Sequence, residues 1–301
     1  MASGRLHPLR SIYRATVGRL LPGLTRRLCA LAFQAEYQQL RRDNERVSVS
    51  LQLIESCLAC LYGGQEDVGR SGPIGSASPL VSIILPTYNR AHCIQDAIRS
   101  VLGQRFQQWE LIIVDDGSTD ITPRVVAPYL RDGRIVYVRQ EHRGQSSARN
   151  RALAVARGSI FTYLDSDNVV MPDFLPTIVA TFANHPATDF IYGALLTRHH
   201  GNPDGAIIWQ PYDRDMLLKQ NFIDLNTVAH RRSLFEKYGG FDESLDRLTD
   251  WDLALRYTAH APARPVAVVA AQYRCRDTSR VTDRQPFEPA YQKVRQKWAV
   301  S

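Results

Sequence analysis

From Leu80 onward the apolar positions fall into two kinds of run. Leu80-Val81-Ser82-Ile83-Ile84-Leu85 and Glu110-Leu111-Ile112-Ile113-Val114 are short and almost continuously apolar, as expected for strands buried on both faces of a parallel sheet. Ile94 to Leu102, a stretch reaching Leu130, and Ser147 to Ala156 carry helical spacing instead, and further strands are predicted over Ile135 to Arg139, Ile160 to Leu164 and Phe190 to Leu196. Strand and helix therefore alternate at βαβ spacing, which predicts an α/β fold with a mostly parallel twisted sheet flanked by helices. Ligands of such sheets sit at the carboxyl ends of the strands. Three polar clusters fall there: Pro86-Thr87-Tyr88-Asn89, Asp115-Asp116 and Asp165-Ser166-Asp167. One cleft can hold them all.

The first sixty residues follow a different pattern. Ile12, Val17, Leu20, Leu24, Leu28, Leu31, Tyr37 and Leu40 recur near three-and-four spacing with arginines between them. This predicts a basic amphipathic helical arm over 1–62, broken near Pro22-Gly23, then a Gly/Ser-rich linker over 63–79 and the α/β domain over 80–301. Nine arginines up to Arg46 stand against Glu36, Asp43 and Glu45, so residues 1–46 carry +6 of the chain's formal +7. Such an end suits packing on its own domain or on a second protomer. It equally suits an anionic membrane surface toward which the arginine stems snorkel. No aromatic-interleaved basic stretch accompanies it, so nucleic acid is not an expected partner.

Five cysteines, Cys29, Cys57, Cys60, Cys93 and Cys275, are too few and scattered for a disulfide scaffold, which favours a reducing cytosol. Cys57-x-x-Cys60 has no second pair at zinc spacing and reads as two buried thiols in a helical pattern. No run of about 18 apolar residues predicts a spanning helix, and no apolar core with a small-residue cleavage site predicts a signal peptide. A cytoplasmic protein is expected, with any membrane contact peripheral at the inner face.

The chemistry centres on Asp165 and Asp167. Two residues apart on an extended chain, their side chains leave from the same face, and the turn begun by Asn168 lets the backbone bend around whatever they hold. Oxygen ligands suit a hard divalent ion, and Mg²⁺ or Mn²⁺ bound by one or two carboxylates takes its remaining ligands from water and substrate phosphates. Taken by itself an Asp-x-Asp also serves as a turn cap beside a solvated charge; the surrounding motifs decide between the two.

Those motifs are Val81-Ser82-Ile83-Ile84-Leu85-Pro86-Thr87-Tyr88-Asn89-Arg90, Ile113-Val114-Asp115-Asp116-Gly117-Ser118-Thr119-Asp120, Ser147-Ala148-Arg149-Asn150-Arg151-Ala152-Leu153, Tyr163-Leu164-Asp165-Ser166-Asp167-Asn168, and Gly239-Gly240-Phe241-Asp242-Glu243 followed by Thr249-Asp250-Trp251-Asp252-Leu253. In this order they resemble the family-2 glycosyltransferases, inverting enzymes with the nucleotide-diphospho-sugar transferase (GT-A) fold. The resemblance runs from Val81 to about Arg284. It implies a nucleotide-sugar donor, with UDP favoured, and a saccharide or lipid-linked glycan acceptor. Thr87, Tyr88 and Asn89 would contact the nucleoside, and Asp116 would accept from the base N–H. Arg149 would place a permanent charge near the diphosphate, Asp165 and Asp167 would hold the metal against it, and Asp250 would be the catalytic base. Trp251 could shield Asp250 from water and raise its pKa. Read without the family, Asp115 and Asp250 are also good caps, and Asp252 complements a helix dipole.

Two departures stand out. Where the family usually has Glu-Asp, this chain has Thr249-Asp250, and where it often has Tyr-Arg-x-His, this chain has Tyr273-Arg274-Cys275-Arg276. Arg276 can neutralise diphosphate but cannot ligate metal; Arg280 is a further candidate to close over the diphosphate. Arg198, His199 and His200 could line the acceptor side. Two rivals remain open at this level: a non-catalytic nucleotide-sugar-binding or assembly subunit of a polysaccharide-building complex, and a nucleotidyltransferase. Pro86-Thr87-Tyr88-Asn89-Arg90 lacks the glycines the latter normally needs after its first strand.

Overall fold

The computed structural model describes residues 80–199, 202–274 and 286–298. The expected arm and linker, Cys29, Cys57, Cys60, Cys275, His200, Arg276 and Arg280 lie outside the described residues.

The apolar run after Leu80 forms β1 (Val81–Thr87), buried at every position but Pro86. It lies between β2 (Trp109–Asp115) and β4 (Ile160–Tyr163), and β3 (Ile135–Arg139) pairs beyond β2; all three pairings are parallel. A proline inside a central strand normally removes a ladder hydrogen bond. Here the last β1–β4 pair is Ile84 with Tyr163, so Pro86 falls where β4 has already ended.

Beyond β4 the sheet changes character. β8 (Val228–Arg231) runs antiparallel to β4, and β6 (Phe190–His199) antiparallel to β8. β9 (Arg264–Arg274) is parallel to β6, the two-residue β5 (Val169–Val170) closes the far edge, and β7 (Asn202–Ile208) forms a hairpin with β6. The order is β3-β2-β1-β4-β8-β6-β9-β5 with β7 branching from β6. The α/β architecture expected from the sequence is present, with its parallel pairing concentrated in the half that carries the motifs.

Period-two alternation builds a core on each face. Ile84, Ile112 and Val114 point to one side, Ile83, Leu85, Leu111 and Ile113 to the other. The second face is covered by α1 (Ile94–Leu102), the short α2 (Thr122–Val126) and α4 (Phe174–Asn184). The first is covered by α3 (Gln145–Val155), α5 (Arg214–Lys219), α6 (Arg232–Tyr238), α7 (Thr249–Tyr257) and α8 (Phe287–Trp298). Each buried Ile, Leu or Val contributes roughly 1.5–3 kcal/mol by leaving water, so the motif-bearing strand ends stand on rigid elements. Among the described residues no helix is long and apolar enough to cross a membrane.

Candidate active site at the strand ends

The carboxyl ends of β1, β2 and β4 open into one cleft of about 730 Å³. Its walls are completed by the start of α3, the segment before β8, the loop leading into α7 and Tyr273 on β9. Thr87, Tyr88, Asn89, Asp116, Arg149, Asp165, Asp167 and Asp250 all line it. Residues up to 163 positions apart in the sequence thus share one cavity.

At the β1 end, Thr87 is 3% exposed and its Oγ1 is buried with no hydrogen-bond partner. An orphaned hydroxyl on a cleft wall fits a ligand that completes it. Tyr88 is exposed and stacks on His142, ring centroids 4.1 Å apart. Asn89 does something the sequence reading did not assign. At φ 52° it occupies the left-handed region that Asn tolerates, and its Oδ1 accepts from the N–H groups of Thr119 (2.8 Å) and Asp120 (3.2 Å). Its side-chain oxygen is committed to tying the loops after β1 and β2 together, which leaves only its amide N–H groups for a ligand.

Asp116 is 3% exposed. Oδ1 accepts from Gln140 Nε2 (2.7 Å) and Arg143 N (2.9 Å), and Oδ2 from Gly144 N (2.8 Å), with His142 Nδ1 2.8 Å away. All its acceptor positions face protein groups, so a base N–H could reach it only by displacing one of the two side-chain partners, Gln140 or His142. His142 carries no motif and was not singled out in the sequence. Asp115 takes the turn role open to it: Oδ1 accepts from Ser118 N at 2.7 Å, and the Tyr137 hydroxyl donates to Oδ2. Burial and that carboxylate push the Tyr137 hydroxyl pKa up.

Beside β4, Arg149 lines the cleft and is paired there. It is 4% exposed and its guanidinium donates to Asp165 Oδ1 at 2.7 Å, over the ring of Phe241. The reason is helical periodicity: Arg149 shares the buried face of α3 with Ala152 and Leu153. Its charge compensates Asp165 on the cleft wall. Arg143 also lines the cleft and is exposed.

Asp165 is held on both oxygens, Oδ2 by Asn226 Nδ2 at 3.0 Å, while Asn226 Oδ1 accepts from Asp165 N at 2.7 Å. The turn to Asn168 forms as expected, with Asn168 N donating to Asp165 O. Among the described residues no group of three or more His, Cys, Asp or Glu forms a metal cage. The donor set fits a hard ion nonetheless, because Mg²⁺ or Mn²⁺ needs only one or two protein carboxylates when phosphates complete its shell. Asp167 lines the same cleft as Asp165.

On the opposite wall Asp250 lies inside the first turn of α7, one residue past its start, and not at the cap, which is Leu248 at φ 59°. Burial pushes its carboxyl pKa above the ordinary value, against the lowering effects of the Trp251 backbone N–H and Arg149. Trp251 itself is buried, donating to Leu217 O. Its backbone acts against the pKa rise that was expected of its bulk. Asp250 Oδ2 accepts from Asn221 Nδ2 at 2.9 Å.

The loop before α7 is fixed by Asn150. Its amide donates to Phe241 O (2.9 Å) and Glu243 Oε1 (2.8 Å), and its oxygen accepts from Phe241 N (2.7 Å). A Cβ at Gly240 would meet Asn150 Oδ1 at 2.2 Å, so only glycine allows this approach. The motif containing Asn150 and the motif opening with Gly239-Gly240 are thus two halves of one clip. Asn221, Asp224 and Asn226 also escaped the sequence reading, because an Asx turn ahead of a short strand looks like any other turn.

Several known proteins resemble this chain. A PGL/p-HBAD biosynthesis glycosyltransferase of Mycobacterium bovis is 31% identical over 204 residues, covering 65% of this chain and 77% of that protein. A chondroitin synthase of Escherichia coli is 26% identical over 251 residues, 79% of this chain but 35% of that protein, so the chain spans about a third of that relative's length. Among solved structures, S. aureus TarS 1-349 in complex with UDP-GlcNAc superposes with a TM-score of 0.61 at 20% identity, over 71% of this chain and 64% of that one. The mannosyltransferase PcManGT from Pyrobaculum calidifontis, in complex with GDP-Man and Mn2+, gives 0.51 at 23% identity, over 80% and 66%. The fold is therefore GT-A. The family model described as glycosyl transferase family 2 matches residues 82–239, more than half of the 301, and the chain belongs to that family.

Proposed function

We propose that this chain is an inverting glycosyltransferase that moves a sugar from a nucleoside-diphosphate sugar, with UDP the preferred nucleotide, to a hydroxyl of a saccharide or lipid-linked glycan. The observation that carries this reading is the placement of Asp165 and Asp167 on one wall and Asp250 on another wall of a single 730 Å³ cleft. That volume suits a ligand of nucleotide-sugar size. The relatives named as glycosyltransferase and chondroitin synthase, and the neighbours bound to UDP-GlcNAc and GDP-Man, support the donor class.

In this reading Thr87 and Tyr88 hold the nucleoside, with Asp116 accepting from its base once Gln140 or His142 moves aside. Mg²⁺ or Mn²⁺ held by Asp167, with Asp165 beside it, would offset the charge of the leaving diphosphate. Arg143 adds a permanent cation, and Arg276 and Arg280 are further candidates for it. Asp250 takes the proton of the acceptor hydroxyl as that oxygen bonds to the anomeric carbon. The bond from that carbon to the diphosphate breaks, and attack from the face opposite the leaving group inverts the centre. The same proposal places the enzyme in the cytoplasm, with residues 1–62 serving peripheral membrane contact or self-association.

A thermal-shift screen against UDP, GDP, CDP and TDP and their sugar conjugates, each with Mn²⁺, Mg²⁺ or EDTA, tests it. A nucleotide at 100 times its Kd stabilises the native state by about 2.7 kcal/mol. One nucleotide, expected to be UDP, should raise the melting temperature when metal is present. If none does so with any metal, the proposal fails.

A further inference from the structure

The segment from Asn221 to Asn226 links the two walls of the cleft. At one end Asn221 Nδ2 donates to Asp250 Oδ2 at 2.9 Å. At the other, Asn226 holds Asp165 through its side-chain nitrogen (3.0 Å) and its side-chain oxygen (2.7 Å). Asp224 lies between them on the cleft wall. Its Oδ1 accepts from both the backbone N and the Nδ2 of Asn226, each at 2.9 Å. That Nδ2 is the same atom that holds Asp165. No group among the described residues donates to Asp224 Oδ2.

A third carboxylate beside two others is electrostatically unfavourable, and the chain aligns it rather than neutralising it: no cation pairs with it among the described residues. An acceptor oxygen left open at that point calls for a neutral donor. The transferred sugar has to lie between the diphosphate at Asp165 and Asp167 and the attacking hydroxyl at Asp250. That is where Asp224 stands.

We infer that Asp224 Oδ2 accepts a hydrogen bond from a hydroxyl of the transferred sugar, making Asp224 a residue that selects the donor sugar. The inference rests on the glycosyl-donor reading of the cleft. A site built to bond a hydroxyl discriminates strongly against the analogue that lacks it, because the protein group is then left unpaired.

The test is calorimetric titration of the full chain and of Asp224→Asn, with Mn²⁺, against UDP, UDP-glucose and UDP-N-acetylglucosamine. The expected result is a UDP affinity within twofold of wild type in the variant and a loss of at least tenfold for the sugar conjugate that wild type prefers. Equal losses for UDP and conjugate, or no loss for either, would overturn the role of Asp224 while leaving the donor site standing. Failure of wild type to bind UDP or either conjugate would overturn both. Should the variant not fold, monodeoxy forms of the preferred conjugate give the answer on wild type. Removal of one hydroxyl should weaken binding by tenfold or more, and retention of binding by every monodeoxy form within threefold would overturn the inference.

Discussion

At the scale of single residues the cleft places one carboxylate, Asp250, where burial raises its pKa above the ordinary value and where no cation is paired with it in the structure described. A general base must be ionised to act, so turnover should rise with pH through that raised pKa, on an acid limb above that of an ordinary Asp. Asp250→Asn should lower kcat by about a thousandfold or more while Kd for the donor changes less than about threefold, in line with the 10²–10⁴ that positioned acid–base groups contribute. Parallel loss of kcat and donor binding would show instead that Asp250 holds the donor. Asp224 gives a second prediction, on stability. Burial pushes its carboxyl up to about 6 from 3.8, so between those values the folded chain keeps a proton that the unfolded chain has lost. Stability therefore falls as pH rises from 4 to 6, by at most about 3 kcal/mol. Asp224→Asn removes that penalty, and its gain over wild type in denaturant unfolding should grow from pH 4 to pH 7; a gain that does not change with pH would refute it. The strand-end carboxylates were legible in the sequence because a charge that ends an apolar run has few places to go. That Arg149 takes the buried face of α3 was not legible, because that face is set by contacts with the sheet and the sequence between Gln145 and Val155 has almost no apolar asymmetry to reveal it.

At the scale of elements, the parallel strands β1 to β4 were legible because burial on both faces leaves a continuous apolar run. The antiparallel half was less so: β5 has two residues and β8 four, too short to show a period. What holds the catalytic elements together was harder still to see. Trp298 Nε1 and Lys297 Nζ on α8 both reach Asp252 Oδ1 on α7 at 2.9 Å, Arg256 takes Oδ2 at 2.9 Å, and Trp251 stacks on Tyr291. Asp252 was read as complementing a helix dipole; it is a fully buried latch between two helices 46 residues apart in its longest link. The clip between α3 and the Gly239-Gly240 turn is the other tie, and it yields a sharp prediction. Gly240→Ala drives a methyl to 2.2 Å from Asn150 Oδ1, and Asn150 cannot yield without losing its bonds to Phe241 and Glu243. The substitution should destabilise by about 1–3 kcal/mol, the usual range for overpacking, lowering the melting temperature by several degrees. It should also reduce turnover, because Glu243 and residues 245–250 line the cleft. In Asn150→Ala the same glycine substitution should be nearly neutral, and an undiminished effect in that background would show that the clash lies elsewhere.

At the scale of the whole molecule the chain brings residues from Pro86 to Tyr273 to one cleft. The proposed ion site draws on two carboxylates, Asp165 and Asp167, and Asp165 is already paired with Arg149 and Asn226. A divalent ion with so few carboxylates binds weakly until substrate phosphates complete its shell. Metal and nucleotide should therefore be strongly cooperative: Mn²⁺ alone at 1 mM should barely move the melting temperature, UDP alone should move it little, and the two together should move it well beyond the sum. By linkage, the factor by which Mn²⁺ tightens UDP must equal the factor by which UDP tightens Mn²⁺, so two independent titrations must agree. Asp167→Ala should abolish this coupling and weaken UDP in Mn²⁺ to its affinity in EDTA, leaving the metal-free affinity close to that of wild type. Tight Mn²⁺ binding by the nucleotide-free chain, or coupling that survives Asp167→Ala, would mean that the ion is held by groups other than the strand-end pair, and the assignment of Asp165 and Asp167 would have to be given up.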